Sequence, residues 1–300
     1  MRHVISITDL SAAEMKDIIK SAIDLKAELG QQAAHPVLPL RNKSMAMIFD
    51  KPSLRTRLSF EVGMTQLGGH AVYLAPDDIK LGLRETVHDS AIVISSMADV
   101  IVARVSSHEA VGELAKFSAK PVINAMTDAE HPCQALADLQ TIYERFGTFE
   151  GIRIAYVGDA NNNVTNSLAL AAGLLGMEIR IGAPAGYGMA PKISDRVSGI
   201  LQFDDPEPAV KDAHVVITDT WVSMGKETER SERLEALASF QVNRELMALA
   251  DKKAIFMHCL PAYRGKEVTA EVVDGPQSVV FAEAENRLHA EKALLLHVLS

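Results

Sequence analysis

The chain has 300 residues, of which 48% are hydrophobic, and its 39 acidic residues outnumber its 30 basic residues, for a formal net charge of −9. A chain of this length and apolar content can bury a large core, and the length favours two domains over one. The acidic balance argues against a protein that holds nucleic acid by general charge, so any anion that it binds must meet a local basic site.

The first predicted element is a helix that begins after Ser11. Ser11 and Glu14 have the spacing of a capping box, and apolar residues follow at helical spacing until Gly30. Short apolar runs with few charges then recur, most of them separated by a helical pattern: MAMIF, AVYL, DVIVA, PVIN, RIAYV, IRI, HVVIT, AIFM and SVVF. This alternation is typical of parallel sheets covered by helices on both faces, so we predict an α/β fold.

The boundary between the two predicted domains lies at residues 145–151, RFGTFEG, which follow a long helical stretch and precede a new series of strands and helices. We therefore assign 1–146 to the first domain, with a C-terminal helix at 284–300 expected to complete it, and 147–283 to the second. The segment 182–212 is rich in proline, glycine and alanine, and we interpret it as irregular surface.

Polar and ionisable residues follow seven of the predicted strands. Ligands of open parallel sheets bind beyond the carboxyl ends of the strands, where loops and helix N-termini gather. The segments at these positions are DKPSLRTR, Arg104, TDAEHPCQ, GDANNN, DTWVSMG, HCLPAYR and AEAENR. Their clustering at strand ends predicts a binding site.

The segment DKPSLRTR stands where a strand gives way to a helix that should begin near Ser53. The unpaired N–H groups of that helix start, two hydroxyl groups and the guanidinium of Arg55 would face one point, where the helix dipole also favours an anion. Arg55 and Thr56 are therefore predicted to hold a phosphate. Arg57, in contrast, has the i,i+4 spacing of an ion pair with Glu61.

Four motifs occur together and in order over nearly the whole chain: S-x-R-T-R, H-P-C-Q, D-x-x-x-S-M-G and H-C-L-P. In this combination the chain resembles the aspartate/ornithine carbamoyltransferase family, and the last two motifs resemble those of its ornithine-specific members. The resemblance implies two α/β domains, one for carbamoyl phosphate and one for the amino acid, with the active site in the cleft between them. It implies transfer of a carbamoyl group to the δ-amino group of L-ornithine, which gives L-citrulline and phosphate in arginine biosynthesis and requires no cofactor.

The resemblance also implies a role for individual residues. Those expected to bind carbamoyl phosphate are Ser53, Leu54, Arg55, Thr56, Lys80, Arg104, His131, Pro132, Cys133, Gln134, Cys259, Leu260 and Arg287. Those expected to bind ornithine are Asn162, Asn163, Asp219, Ser223 and Met224. The catalytic residues among them would be Arg104, His131, Asp219 and Cys259. Donors are needed because charge develops on the carbamoyl oxygen during attack, and the attacking amine must first lose a proton.

Two positions depart from the family pattern. Leu54 stands where the family commonly has threonine, a change that preserves the backbone N–H contact but removes a hydroxyl. Lys80 stands where a loop of a neighbouring subunit commonly offers glutamine to the site of a homotrimer. A cation there would complement the phosphate, but a solvated loop lysine explains the residue equally well.

Two other kinds of site were weighed against this interpretation. GDANNN could be a degenerate dinucleotide fingerprint, but Ala160 and Asn163 replace glycines that the pyrophosphate requires. A zinc site is conceivable from four residues, His131, Cys133, His258 and Cys259. His258 and Cys259 are neighbours on a predicted strand and should point to opposite faces, so we expect no metal.

Alternative functions remain open from the sequence: carbamoyl transfer to another amine, such as putrescine or an acylated ornithine, or a homologue that binds carbamoyl phosphate without catalysis. The compartment is predicted to be the cytoplasm. Cys133 and Cys259 lie far apart in apolar surroundings, which suits a reducing environment, and the first ten residues lack the apolar centre of a signal peptide. No apolar run approaches the roughly 18 residues needed to span a bilayer, so no membrane partner is expected.

Overall fold

The computed structural model describes residues 2–197, 199–222 and 227–300. The chain divides into two compact units: unit 1 comprises Met1–Gln140 and Glu285–Ser300, and unit 2 comprises Thr141–Ala284. Each unit contains a parallel sheet flanked by helices, as the alternating sequence pattern predicts.

The sheet of unit 1 has the strand order β2-β1-β3-β4, with every neighbouring pair parallel. Its strands are β1 (Ser44–Phe49), β2 (His70–Leu74), β3 (Val100–Arg104) and β4 (Val122–Met126). The inner strands β1 and β3 are buried along nearly their whole length, because a strand covered on both faces needs apolar residues at every position. Strand β2 lies at the edge and is partly exposed.

The helices that lie wholly in unit 1 are α1 (Ala12–Gln32), α2 (Arg55–Gln66), α3 (Pro76–Ile79), α4 (Val87–Met97) and α5 (His108–Phe117). The predicted capping box at the start of α1 is confirmed: the Ser11 hydroxyl accepts the N–H of Glu14, and the Glu14 carboxylate accepts the N–H of Ser11. Helix α1 continues two residues past the predicted end and stops at the left-handed Ala33.

The sheet of unit 2 has the strand order β7-β6-β5-β8-β9, again with parallel neighbours. Its strands are β5 (Arg153–Val157), β6 (Glu178–Gly182), β7 (Ile200–Phe203), β8 (Val215–Ile217) and β9 (Ile255–Met257). Buried side chains from β5, β8 and β9 join those of the surrounding loops and helices in one apolar core; examples are Val157, Val216, Phe256 and Val280.

The remaining helices are α6 (Pro132–Phe146), α7 (Asn163–Leu175), α8 (Pro191–Ser194), α9 (Pro206–Val210), α10 (Arg230–Leu237), α11 (Arg244–Met247), α12 (Ala270–Val273) and α13 (Val280–Leu299). Helices α6 and α13 contain the two points at which the chain passes from one unit to the other. No described helix combines the length and apolar character needed to cross a membrane.

Two sequence-based interpretations are wrong in detail. The run SVVF is not a strand: Ser278 makes only an isolated bridge to Phe256, and Val280 already begins α13. The segment 182–212 is not irregular throughout, because it contains α8, α9 and the edge strand β7. Strand β7 gave little signal, since Leu201 and Gln202 are both exposed and the apolar pattern of a buried strand is missing.

Candidate active site

Three neighbouring strands of unit 1, β1, β3 and β4, end at the same edge of the sheet, because parallel strands share one carboxyl edge. The loop after β1 leads to the predicted phosphate segment, β3 ends at Arg104, and the loop after β4 leads to His131. Three of the predicted motifs therefore meet at one edge.

Helix α2 begins at Arg55, inside the predicted phosphate segment and two residues later than predicted. The Ser53 hydroxyl accepts the N–H of Thr56 at 3.3 Å, which satisfies one donor of the helix start, and Leu54 precedes the first helical residue. The side chain of Leu54 is 75% exposed, whereas Thr56 is buried. Substitution of leucine for threonine at position 54 therefore places an apolar group at the surface.

Thr56 joins two arginines that lie far apart in the sequence. Its hydroxyl oxygen accepts one hydrogen bond from Arg104 Nη1 at 3.3 Å and another from Arg287 Nη2 at 3.2 Å. Both arginines are buried, 8% and 2% exposed. Two buried guanidinium groups beside a helix N-terminus form a strongly cationic site, which suits a phosphate.

Gln134 is held by charged residues at both ends of its amide. Its Oε1 accepts a hydrogen bond from Arg287 Nη1 at 2.8 Å, and its Nε2 donates to Asp138 Oδ1 at 2.8 Å. A guanidinium can only donate and a carboxylate can only accept, so the two partners specify the same orientation of the amide.

His131 is buried at the start of α6, next to the same cluster. Burial lowers the pKa of His131 well below its usual value, and the positive charges of Arg287, Arg104 and Arg55 lower it further. The backbone N–H of Gln134 donates to Nδ1 at 3.3 Å. His131 is therefore neutral near pH 7, with its proton on Nε2.

Three other predicted residues of unit 1 have different environments. Pro132 is the first residue of α6. The Cys133 thiol is buried and donates to the Asn124 carbonyl at 3.5 Å, and burial raises the pKa of Cys133 well above its usual value. Lys80 ends α3 in the left-handed conformation (φ 44°), with Nζ 3.7 Å from Asp77 Oδ1 and a half-exposed side chain. The Cys133 thiol is thus buried and Lys80 lies at the surface of unit 1, and the contact of each residue with carbamoyl phosphate stays a prediction.

The predicted pair on α2 is confirmed. Arg57 Nε lies 3.0 Å from Glu61 Oε1, and the guanidinium stacks 3.8 Å from the centre of the Tyr73 ring. The Arg57 side chain therefore lies on the surface of α2, paired with Glu61, and is not among the predicted phosphate contacts.

In unit 2 the neighbouring strands β5, β8 and β9 also end at one edge. They lead to the segments GDANNN, DTW and HCLP. Asp219 Oδ1 accepts the N–H of Thr220 at 2.7 Å and the thiol of Cys259 at 3.2 Å. Two of the predicted catalytic residues are therefore in direct contact.

Asn162 uses its side chain within its own loop. Its Oδ1 accepts the N–H of Thr165 at 2.9 Å as the N-cap of α7, and its Nδ2 donates to Tyr156 Oη at 2.8 Å and to the Asp159 carbonyl at 2.7 Å. Asn163 is the first residue of that helix. These contacts show Asn162 as a loop-forming residue, and its contact with ornithine stays a prediction.

Sequence reasoning missed the ion pair that holds this loop. Arg233 Nη1 lies 2.6 Å from Asp159 Oδ2 and 3.2 Å from the Trp221 carbonyl, and both charged residues are buried. The pair spans 74 positions, which leaves no local pattern to detect. The predicted residues Ser223 and Met224 follow Trp221 and lie outside the described residues.

Contrary to the prediction, His258 and Cys259 do not lie on opposite faces of a strand, because β9 ends at Met257 and both residues belong to the loop that follows. Among the described residues, one group could bring three ligand atoms within 4.8 Å of one another, namely Asp219, His258 and Cys259. Both ring nitrogens of His258 already have partners: Nδ1 accepts the N–H of Leu260 at 2.9 Å, and Nε2 lies 3.3 Å from Glu267 Oε1. A metal would have to displace one of them.

Comparison with known proteins adds a family assignment for both halves of the chain. The family model for the aspartate/ornithine carbamoyltransferase carbamoyl-P binding domain matches residues 2–144, and the model for the Asp/Orn binding domain matches residues 150–298. Ornithine carbamoyltransferase of Methanosarcina acetivorans is 50% identical, over 99% of this chain and 99% of its own length. That of Nitrosococcus oceani is 49% identical, over 98% and 96%.

Solved structures agree with these relatives. Ornithine carbamoyltransferase from Pyrococcus furiosus superimposes with a TM-score of 0.94 at 45% identity, over 99% of this chain and 97% of that one. The anabolic enzyme from Campylobacter jejuni superimposes with a TM-score of 0.92 at 40% identity, over 99% of each chain.

Proposed function

Because this chain belongs to the aspartate/ornithine carbamoyltransferase family, we propose that it transfers the carbamoyl group of carbamoyl phosphate to the δ-amino group of L-ornithine. The products are L-citrulline and phosphate. The amine nitrogen forms a bond to the carbamoyl carbon, the bond from that carbon to the phosphate oxygen breaks, and the attacking nitrogen loses a proton.

The observation that carries this proposal is the buried cluster in unit 1 in which Thr56 bridges Arg104 and Arg287. Carbamoyl phosphate binds there, with its phosphate against Arg55, the start of α2 and the buried guanidinium groups. Phosphate is also the leaving group, so the same donors stabilise the negative charge that it gains as the bond breaks.

His131 donates from Nε2 to the carbamoyl oxygen. The backbone contact at Nδ1 leaves Nε2 as the protonated ring nitrogen, and the lowered pKa of His131 keeps the ring neutral. A neutral donor stabilises the developing oxyanion without adding a fourth positive charge to a cluster that already contains Arg55, Arg104 and Arg287. Arg104 donates to the same carbamoyl oxygen.

Ornithine binds to unit 2, with its amino groups near Asp219. An amine whose pKa resembles that of lysine needs about 4–5 kcal/mol to lose its proton near pH 7. Asp219 and Cys259 form a hydrogen-bonded pair that can orient the amine and accept hydrogen bonds from it as the proton leaves. Asn163 and the segment that contains Ser223 and Met224 complete the amino-acid site.

We further propose a homotrimer in the cytoplasm that acts in arginine biosynthesis. The C. jejuni structure is described as anabolic, which supports the biosynthetic direction. Unit 1 exposes several large apolar side chains, and such side chains mark an interaction surface where they form a contiguous patch: Leu54, Leu58, Val72, Leu83, Ile92, Val93 and Met97. A second copy of the chain that covers them could bring Lys80 to a neighbouring carbamoyl-phosphate site.

The test is the formation of carbamoylated product from carbamoyl phosphate, with ornithine, putrescine, aspartate and acetylornithine compared under identical conditions. We expect citrulline from ornithine and stoichiometric phosphate, with the other three amines far slower. Faster turnover of putrescine or acetylornithine would reassign the acceptor. Tight binding of carbamoyl phosphate with no phosphate released on addition of any amine would mean that the chain is not a transferase.

A further inference from the structure

Helix α13 carries a buried carboxylate that none of the assignments above uses. Glu291 is 1% exposed and lies one turn after Arg287 on the same face of the helix. Its Oε1 accepts two hydrogen bonds from Arg287, from Nε at 3.0 Å and from Nη2 at 2.6 Å. Buried carboxylates are rare unless they have a partner, and Glu291 has Arg287 as a charged partner and the Ser59 hydroxyl as a second donor.

The contacts of Arg287 divide between this carboxylate and the ligand-binding cluster. Nε and one N–H of Nη2 face Glu291, while the other N–H of Nη2 faces Thr56 and Nη1 faces Gln134. A planar guanidinium held along one edge has its opposite edge fixed in direction. Glu291 therefore determines where Arg287 points.

Glu291 also opposes the charge of the cluster. The pKa of His131 is lowered by burial and by the positive charges of Arg287, Arg104 and Arg55. Burial raises the pKa of Glu291, and the charge of Arg287, hydrogen bonds from Ser59 and Arg287, and the charge of Arg104 oppose that rise. Oε1 can accept in either protonation state, because the proton of a neutral acid can reside on Oε2.

We propose that Glu291 is a positioning residue for carbamoyl phosphate, acting through Arg287: it holds the guanidinium so that its free edge faces Thr56 and Gln134. This inference rests on the function proposed above. Simple electrostatics predicts the opposite effect of its removal, because a carboxylate near a phosphate repels it and its loss should tighten binding. The two roles can therefore be distinguished by sign.

The experiment compares Glu291→Ala, Glu291→Gln and the control Lys292→Met, with calorimetric binding of carbamoyl phosphate and of inorganic phosphate and with steady-state kinetics. Lys292 is the next residue of α13 and is also buried, but its Nζ contacts His35 and Gln66 instead of the cluster. We expect Glu291→Ala to weaken both ligands about tenfold, because a misdirected arginine loses a charge-assisted contact.

Glu291→Gln should recover affinity to within about threefold of wild type, because the amide oxygen can still accept from Nε. Lys292→Met should change the thermal stability of the protein, but its affinity for both ligands should stay within about twofold of wild type. The KM for carbamoyl phosphate should rise in Glu291→Ala much more than the KM for ornithine. Unchanged or tighter binding in Glu291→Ala, or a glutamine variant as weak as the alanine variant, would overturn the positioning role.

If Glu291→Ala does not fold, a double-mutant cycle uses Glu291→Gln and Arg287→Lys. Lysine has a single, freely rotating donor nitrogen in place of the rigid edge formed by Nε and Nη2, so the carboxylate has less to orient, and Glu291→Gln should have a smaller effect in that background. Equal effects in both backgrounds would contradict action through Arg287. A wild-type protein that fails to make citrulline would refute the proposed function itself, whatever the variants do.

Discussion

At the scale of single residues, local patterns were reliable where both partners lie within one helical turn. The capping box of Ser11 and the pair of Arg57 with Glu61 were predictable because i,i+3 and i,i+4 positions must be neighbours on a helix. The Arg287–Glu291 pair has the same spacing and could have been found. The pair of Asp159 with Arg233 could not, since only the tertiary fold brings them together.

Arg55 and Arg57 provide a matched test of the phosphate segment. Arg55→Ala should weaken carbamoyl phosphate binding by about 10- to 100-fold, because a charge-assisted contact is worth about 1.5–3 kcal/mol. Arg57→Ala removes the same charge two residues away, but from the pair with Glu61, and should leave affinity within about twofold. Calorimetry of both variants decides the matter, and equal losses would show that only overall charge counts.

Asp219→Asn tests the amino-acid side of the reaction. The substitution keeps the shape of the side chain but removes the charge that we assign to the ornithine amine and to the Cys259 thiol. The KM for ornithine should rise at least tenfold, since a charged contact becomes a neutral one. The dissociation constant of carbamoyl phosphate, measured without ornithine, should stay within about twofold. Comparable losses for both ligands would exclude a specific role at the amine.

At the scale of elements, sequence periodicity located the buried strands and failed at the margins of the sheets. Strands such as β3 are apolar at every position because helices cover both faces. Edge strand β7 is not apolar at every position and was therefore missed. The run SVVF is apolar because Val280 is the first residue of α13, whose first turn is apolar. Apolar content reports burial, and it cannot by itself distinguish a strand from a buried helix start.

Helices α2 and α13 meet in unit 1 along a partly polar seam. Lys292 is fully buried there, with Nζ 2.9 Å from both His35 Nε2 and Gln66 Oε1, and its stem lies against Gly63. A Cβ at Gly63 would approach Lys292 Cγ to 3.1 Å, so the small residue allows the lysine to pass. Burial lowers the pKa of Lys292 to about 8, and Glu28 opposes this shift.

The buried lysine predicts a pH dependence of stability. Between about pH 8 and the unfolded value near 10.5, the unfolded chain binds more protons at this residue than the folded chain does. The contribution of Lys292 to the free energy of unfolding should therefore rise with pH across this window. Lys292→Met should lack that rise in urea titrations from pH 7.5 to 10, whereas Lys16→Met, at an exposed position of α1, should retain it. Identical slopes in all three proteins would contradict the burial of a titrating lysine.

At the scale of the whole molecule, the number of units and their parallel sheets were predictable from length and alternation. The sequence predicts that certain residues gather at the carboxyl edge of a sheet. It does not predict which of them form hydrogen bonds with one another. Thr56, Arg104 and Arg287 were each expected to bind carbamoyl phosphate, yet their bridging geometry emerges only from the fold.

Mixing of Lys80→Ala with Arg104→Ala tests whether Lys80 acts on a neighbouring subunit. Lys80→Ala must first prove impaired, since full activity would assign Lys80 to the solvated surface. It is then mixed with Arg104→Ala under conditions of subunit exchange. In a closed ring a shared site takes one residue from each of two chains, so about one site in four receives both intact residues. Activity should rise toward roughly a quarter of wild type. Exchange proved by mass without any recovery would exclude the shared site.

The division of unit 1 into two stretches of chain has a consequence for its synthesis on the ribosome. Residues up to Gln140 emerge early, but Glu285–Ser300, with Arg287, emerge only after the whole of unit 2. At about 5–20 residues per second, synthesis of the 144 residues between the two stretches, Thr141–Ala284, takes roughly 7–30 seconds. During that interval the face of α2 at Gly63 lacks the Lys292 side chain that packs against it in the folded protein. The cluster of Thr56, Arg104 and Arg287 can form only after Arg287 has been synthesised, so a chain that terminates before Arg287 cannot assemble it.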